Sequence, residues 1–285
     1  MTDKEFLTNL ESSDKDVRFA AWRAAGDVSA ATIPQLAKLI NAKDSGVAKA
    51  AREAMTTMTH SVGKQPSPKR YEVAAGLMAV ANSGPMPSRV HALRSLSFIA
   101  GPDELSELLP LLKNKDLREE SIFAIERIPG NEASLAIVNV YRDTSDDFKP
   151  RLLFALGHRR AVASVRMVVE EMKSANPEIA HAAVRAFGRI GNRGSAPPWP
   201  MNVPEIADNI LRFADAQAGQ GNHGEALKQY KLVLGRSEEH LQCAAIIGLG
   251  KLNTPDASAA IHPFLKSSER NVRITAQRVW KAMVV

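Results

Sequence analysis

A short pattern returns eight times along the chain, and its spacing restricts the fold more than any other feature. An acidic or turn residue is followed by an aliphatic one, often by a basic one, and then by small apolar residues at helical intervals. The clearest copy is DVRFAAWRAAG, whose aliphatic position is Val17. Others begin at Val47, Leu117, Phe148, Ile179, Leu241 and Val272, and one at Ser88, where the aliphatic is missing. Successive starts lie 29 to 31 residues apart, except for intervals of 41 and 62. The 41-residue interval contains HSVGKQPSPKR (60–70), which reads as an inserted loop. The 62-residue interval is two periods, with a degraded copy, ILRFADAQAG, near 210 behind a second loop, NRGSAPPWPMNVP (192–204). A period broken only by insertions between units is what a stack of repeated units predicts.

Within each copy the apolar residues sit at positions 0, +4, +7, +8 and +11, counted from the aliphatic. At about 100° per residue these share roughly 100° of arc, so each copy forms an amphipathic helix. Apolar stretches between copies, such as TIPQLAKLI (32–40), DELSELLPLL (103–112), EASLAIVNVY (132–141) and AVASVRMVVEEM (161–172), supply a partner helix. One period thus holds two helices and two tight turns. Asp14, Asp44, Asp116 and Asp146 stand near the start of the second helix, where a carboxylate caps free N–H groups. No run alternates as a strand would. A lone hairpin cannot bury its apolar faces, whereas stacked hairpins can. The expectation is all-α: one array of about nine helical hairpins over 1–285. Aromatic residues are only 5% of the chain, and Ala at +4 and +7 lets neighbouring helices approach closely.

The residues of the repeat resemble the HEAT repeat, in the short bacterial form named after phycobilisome lyases. D-x-V-R-x-x-A-x-x-A with an apolar partner helix carries the likeness over nearly the whole chain. The resemblance implies a right-handed α-solenoid, pattern helices lining its concave side, and a ladder of Arg and Asp between repeats. Arg18, Arg89, Arg118, Lys149 and Arg273, at +1, are the basic members of that ladder. The segment 207–234 resembles instead a tetratricopeptide hairpin, with Ala226 and Tyr230 at fitting spacing.

Composition narrows the function. Lys plus Arg number 37 against 31 Asp plus Glu, a formal net charge of +6. A single Cys rules out an internal disulfide framework and a cysteine-built zinc site. The longest apolar run, Val73 to Ala81, is far short of the ~20 residues of a membrane span. The opening MTDKEFLTNL lacks a basic stretch followed by an apolar one, so no secretory signal is expected there. A cytoplasmic protein without a membrane partner is the expectation. GQGNHG (219–224) matches G-x-G-x-x-G but follows a helix rather than a strand, so it reads as an interhelical turn. His240 and Cys243 have the spacing of half a metal site, but no second pair of ligands stands in a matching repeat, so Cys243 reads as a free thiol. Glu119 and Glu120 are adjacent, point about 100° apart, and make no carboxylate pair. No nucleophile, metal or phosphate-loop motif stands out, so no enzyme activity, cofactor or metal is expected.

The outward side of the pattern helices is the candidate site. Positions +3, +6 and +10 lie opposite the buried arc. They carry Arg23, His91, Arg94, Phe123, Arg127, Arg151, Phe154, His158, Arg185 and Arg189. If the stack curves as the HEAT resemblance implies, these residues converge on one basic groove. Such a wall concentrates anionic partners, and guanidinium groups match carboxylates and phosphates. The expected function is a scaffold holding an acidic protein or peptide. A nucleic-acid ligand, as in the DNA alkylbase glycosylases that such solenoids resemble, is a second reading. A chromophore-lyase-like or chaperone-like helper is a third. At the C-terminal helix, Trp280, Met283 and Val285 are open to another subunit. Trp199, in APPWP, is read as a plug over the interrupted repeat.

Overall fold

The computed structural model describes residues 1–191, 194–201, 203, 205–236 and 238–283. Val285, named above as a subunit contact, lies outside the described residues. The chain divides into two compact units, Met1–Ala136 and Ile137–Val285. Among the described residues every regular element is helical.

The first unit holds α1 (Asp3–Leu10), α2 (Lys15–Arg23), α3 (Ile33–Leu39), α4 (Ser45–Val62), α5 (Pro68–Ser83), α6 (Met86–Ile99), α7 (Leu105–Leu111) and α8 (Arg118–Ile125). Helix α9 (Glu132–Tyr141) carries the division. The second unit holds α10 (Lys149–His158), α11 (Val165–Glu171), α12 (Pro177–Ile190), α13 (Ile206–Gly219), α14 (His223–Leu234), α15 (Glu239–Leu252), α16 (Pro255–Ile261) and α17 (Arg270–Ala282). The eight pattern copies fall on α2, α4, α6, α8, α10, α12, α15 and α17.

Pattern helices follow one another through each unit. In the first, α2 packs on α4, α4 on α6 and α6 on α8, with α3 and α7 as partner helices. In the second, α10 packs on α12, α12 on α13, and α15 on α17, with α11 and α16 as partners. The repeat positions make the core. Val47, Ala51, Ala54, Met55 and Met58 of α4 are buried, as are Ile179, Ala183, Ala186, Phe187 and Ile190 of α12. Removing this apolar area from water is the main stabilising term. Glycine sets the closest approach. A Cβ on Gly157 would lie 2.8 Å from Cα of Ala186, and one on Gly188 would lie 2.8 Å from the Asn209 carbonyl oxygen.

Several local expectations change. The segment 60–70 is helical at both ends, because its extra residues lengthen α4 and α5 to 18 and 16 residues. Asp14 and Asp44 do cap α2 and α4. Asp116 and Asp146 do not, because the buried motif residues Leu117 and Phe148 occupy the N-cap positions themselves. Three of the five basic residues at +1 cap carbonyls. Arg18 donates to the carbonyls of Ser12 and Ser13 at 2.6 and 3.0 Å. Arg273 does the same to Ser267 and Ser268 at 2.5 and 3.3 Å, and Arg89 donates to the Ala81 carbonyl at 2.7 Å. The cause is geometric: the +1 side chain reaches back over the turn, where the preceding helix leaves its last carbonyls unsatisfied. Lys149 does pair with an aspartate, Asp146, at 2.8 Å. The backbone N–H groups of Val47 and Gly46 hold the Asp44 carboxyl below its usual range, and Arg18 adds to that effect.

The degraded repeat is filled from the loop behind it. Trp199 is buried, donates Nε1–H to Oε1 of Gln229 at 3.0 Å, and sets its ring edge-on to Phe187 and Phe213. Gly221, at φ +79°, turns the chain between α13 and α14, so GQGNHG is an interhelical turn. No helix among the described residues is long and apolar enough to cross a membrane.

Candidate functional site

The outward positions of the pattern helices divide equally between the units. Arg23, His91, Arg94, Phe123 and Arg127 belong to the first, and Arg151, Phe154, His158, Arg185 and Arg189 to the second.

In the first unit these side chains are engaged locally. Arg23 lies 5.6 Å from the ring centre of Phe19, itself edge-on to Trp22. Arg127 covers Phe123 at 4.3 Å, leaving that ring half-buried. Arg94 pairs with Glu120 at 2.9 Å, and the pair is mostly exposed on the arginine side. His91 leans inward. Its Nε2 lies 3.1 Å from the Arg52 carbonyl oxygen and 3.4 Å from Oγ1 of Thr56. Burial depresses its pKa, and the charges of Arg52 and Arg94 act in the same direction. His91 therefore adds little positive charge near neutral pH.

The second unit gathers its residues more tightly. Phe154, on α10, is 45% exposed. Arg151 and Arg189 lie 5.3 and 5.0 Å from its ring centre, and His158 stacks parallel to it at 6.1 Å. An exposed ring flanked by guanidiniums is held by cation–π attraction, which also orients the arginines. Arg185 forms an ion pair with Glu205 at 2.8 Å.

Three adjoining depressions open beside this group. The largest, about 860 Å³, is walled by α10, α12 and α13 and lined by Phe154, His158, Arg160, Arg189, Arg212 and Asp215, among others. A second, about 520 Å³, shares Arg189 and Arg212 and adds Arg185, Glu205 and Asp208. A third, about 370 Å³, shares Phe154, Arg185 and Arg189 and adds Glu178 and His181. Beside the largest cleft, the Tyr230 hydroxyl donates to Oδ1 of Asp215 at 2.6 Å. Burial, with that bond to Asp215, raises the phenol far above its usual range, so it stays a neutral donor. The groups on offer are guanidiniums, imidazoles and an aromatic ring. They suit noncovalent recognition of anions. Among the described residues no group of three or more His, Cys, Asp or Glu is placed to hold a metal ion.

Arg160, Arg212 and His181 escape a reading of positions +3, +6 and +10. Arg212 sits on α13 in the degraded copy, one 31-residue period after His181. Both stand at +2, beside the outward positions, so their direction is set by how α12 and α13 cross. Arg160 lies at +12, where other copies place Gly191 and Asn253.

No protein-family model matches the chain, and no curated protein matches it. Solved structures do. Kap95p, which binds RanGDP, superposes with a TM-score of 0.56 at 12% identity, over 99% of this chain and 46% of that one. Kap121p bound to Nup53p gives 0.53 at 13% identity, over 98% of this chain and 37% of that one. Kap121p alone also gives 0.53 at 13%, over 97% and 37%. The chain thus spans less than half the length of these proteins. The likeness shows the fold: an all-α, HEAT-like solenoid.

Proposed function

We propose that the chain is a non-enzymatic interaction scaffold that holds an acidic protein segment against the outward faces of its pattern helices. The observation that carries this reading is the group on the second unit, where exposed Phe154 stands between Arg151 and Arg189 beside three connected depressions. A preformed helical surface loses little conformational freedom on binding, which favours capture of an extended segment. The solenoid neighbours include one bound to a protein, Nup53p. The carboxylates Glu178, Glu205 and Asp208 interrupt the basic surface. That alternation suits an acidic segment whose carboxylates are spaced along the chain better than a continuous phosphodiester backbone.

The test replaces Arg151 and Arg185, both on the second unit, with Glu. Binding of a fluorescein-labelled peptide rich in Asp and Glu is followed by anisotropy at low and high salt. The variant should lose binding while helicity and melting stay nearly unchanged. Unchanged binding, collapsed melting, or tighter and more steeply salt-dependent binding of duplex DNA than of the peptide would overturn the proposal.

A further inference from the structure

We propose that the cleft walled by α10, α12 and α13 receives a single phosphoryl group carried on a side chain of the partner protein. This rests on the scaffold reading and names the chemistry that one part of it recognises.

The first observation is a backbone conformation. Helix α10 ends in a Schellman turn: Ala161 N–H donates to the Leu156 carbonyl at 3.0 Å and Arg160 N–H to that of Gly157 at 3.1 Å. The turn needs a left-handed residue, and Arg160 supplies it at φ +50°. At the same place after α12 and α15 the chain uses Gly191, at φ +54°, and Asn253, at φ +48°. Those residue types adopt the conformation readily, and an arginine adopts it at a cost. A costly residue where the repeat elsewhere uses a tolerant one points to a use for its side chain. That side chain lines the cleft.

The second observation is charge. Arg160, Arg189 and Arg212 all line the cleft with His158. Among the described residues none of the three guanidiniums is ion-paired, whereas nearby Arg185 is held by Glu205. The carboxylate in the lining, Asp215, accepts a hydrogen bond from Tyr230. Arg189 is steadied against Phe154 at 5.0 Å, so its guanidinium is presented rather than free to sweep.

The third consideration is ligand size. One guanidinium satisfies a carboxylate through two parallel bonds. Three guanidiniums around one cleft match a group with a charge near −2 and three acceptor oxygens, which a phosphorylated side chain provides. The adjoining depressions bring Glu178, Glu205 and Asp208 to the edge of the positive region. The positive region is therefore bordered by carboxylates, which the further phosphates of a nucleic-acid strand would meet.

The experiment uses the full chain and three labelled peptides of otherwise neutral sequence, carrying at their centre phosphoserine, serine or glutamate. Anisotropy gives the affinities, with inorganic phosphate as competitor. The phosphoserine peptide should bind at least about tenfold more tightly than the glutamate peptide, a difference of about 1.4 kcal/mol, and inorganic phosphate should displace it. Arg160→Asn should weaken phosphopeptide binding about tenfold while leaving the melting temperature unchanged or higher, because Asn tolerates the turn. Arg212→Gln should weaken it similarly. Arg166→Asn removes the same charge from a site 95% exposed on α11 and should change nothing. Equal binding of phosphoserine and glutamate peptides overturns the phosphoryl site and leaves the scaffold intact, since the acidic-peptide test above judges that separately. A lowered melting temperature in Arg160→Asn, or unweakened binding, overturns the role given to Arg160. Single-stranded DNA binding more tightly than the phosphopeptide overturns the choice of ligand.

Discussion

The joint between α5 and α7 in the first unit depends on a buried ion pair, and removing its negative charge alone should be among the most damaging single changes in that unit. The side chains of Arg70 and Glu104 are 4% and 9% exposed. The guanidinium donates from Nη1 to Oε1 at 2.9 Å and from Nη2 to Oε2 at 2.5 Å. Its Nε donates to the Ile99 carbonyl at 3.0 Å, and Oε2 also accepts from Gly101 N–H at 2.7 Å. Glu104→Gln keeps the shape but leaves a buried guanidinium without its counter-charge. Breaking a buried pair in this way costs about 3–5 kcal/mol. Replacing both members, Arg70→Met with Glu104→Leu, removes the charge along with its partner and is often near neutral. What remains is the Gly101 N–H and the Ile99 carbonyl without their side-chain partners, which together cost about 2–3 kcal/mol. The double variant should therefore be more stable than Glu104→Gln by about 1–2 kcal/mol. Urea unfolding followed by far-UV circular dichroism gives all three values. A Glu104→Gln cost under about 1 kcal/mol, or a double variant no more stable than the single, would refute the reasoning and show the pair to be effectively solvated.

Three further outcomes follow from particular contacts. Gly188→Ala drives a methyl against the Asn209 carbonyl at 2.8 Å, so α12 and α13 must separate; we expect a loss of about 1–3 kcal/mol by thermal melting. Trp199→Ala removes the ring packed edge-on against the stacked pair Phe187 and Phe213 and should cost about 3–5 kcal/mol, whereas Trp199→Phe loses mainly the bond to Gln229 and should cost about 1–2 kcal/mol. A free-hanging tryptophan would give near-zero values in both. Burial depresses His91 in the folded chain, so below the unfolded value of about 6.5 the unfolded chain binds a proton that the folded chain resists. Its stabilising contribution is complete above that pH and falls away as the solution is acidified. His91→Gln should flatten that part of the stability–pH curve, and an unaltered slope would exclude burial of the neutral ring.

The repeat made direction legible, because helical period and burial are both local to one helix. Position +6 points outward in every copy: Arg23, Arg94, Phe154, Arg185, Ile247 and Arg278 are exposed, and Glu53 and Phe123 are half-buried. Position +4 is buried in each, from Ala21 to Ala276. Chain lengths between motifs were less informative. The segment 60–70 looks like a loop from its Pro, Ser and Lys content, yet only 63–67 stand between the helices and its two ends extend α4 and α5. Ser67 caps α5 by accepting from Arg70 N–H, and Pro68 follows at the first helical position, where proline is tolerated. The same composition therefore marks a helix start as readily as a loop.

Contacts between helices were harder to read, because they depend on how adjacent helices cross, and no single copy encodes that. Arg94 at +6 meets Glu120 at +3 of the next copy, whereas Phe154 at +6 meets Arg189 at +10 of the next. The same outward position thus meets a carboxylate in one repeat and a guanidinium in another, according to the residue its neighbour presents. Composition totals hide this, since a net charge of +6 spread over the chain would not mark out any repeat. What distinguishes the second unit is local imbalance: guanidiniums at +10 of α12, on the degraded copy α13 and in the turn after α10 border one cleft. Two of those three arginines lie off the regular outward positions. A degraded repeat is where stacking constrains the sequence least, and a left-handed turn is where a side chain leaves the helical array altogether. Places where the rhythm weakens are therefore where a solenoid can acquire a specific ligand without disturbing its core, and Arg212 and Arg160 occupy two such places.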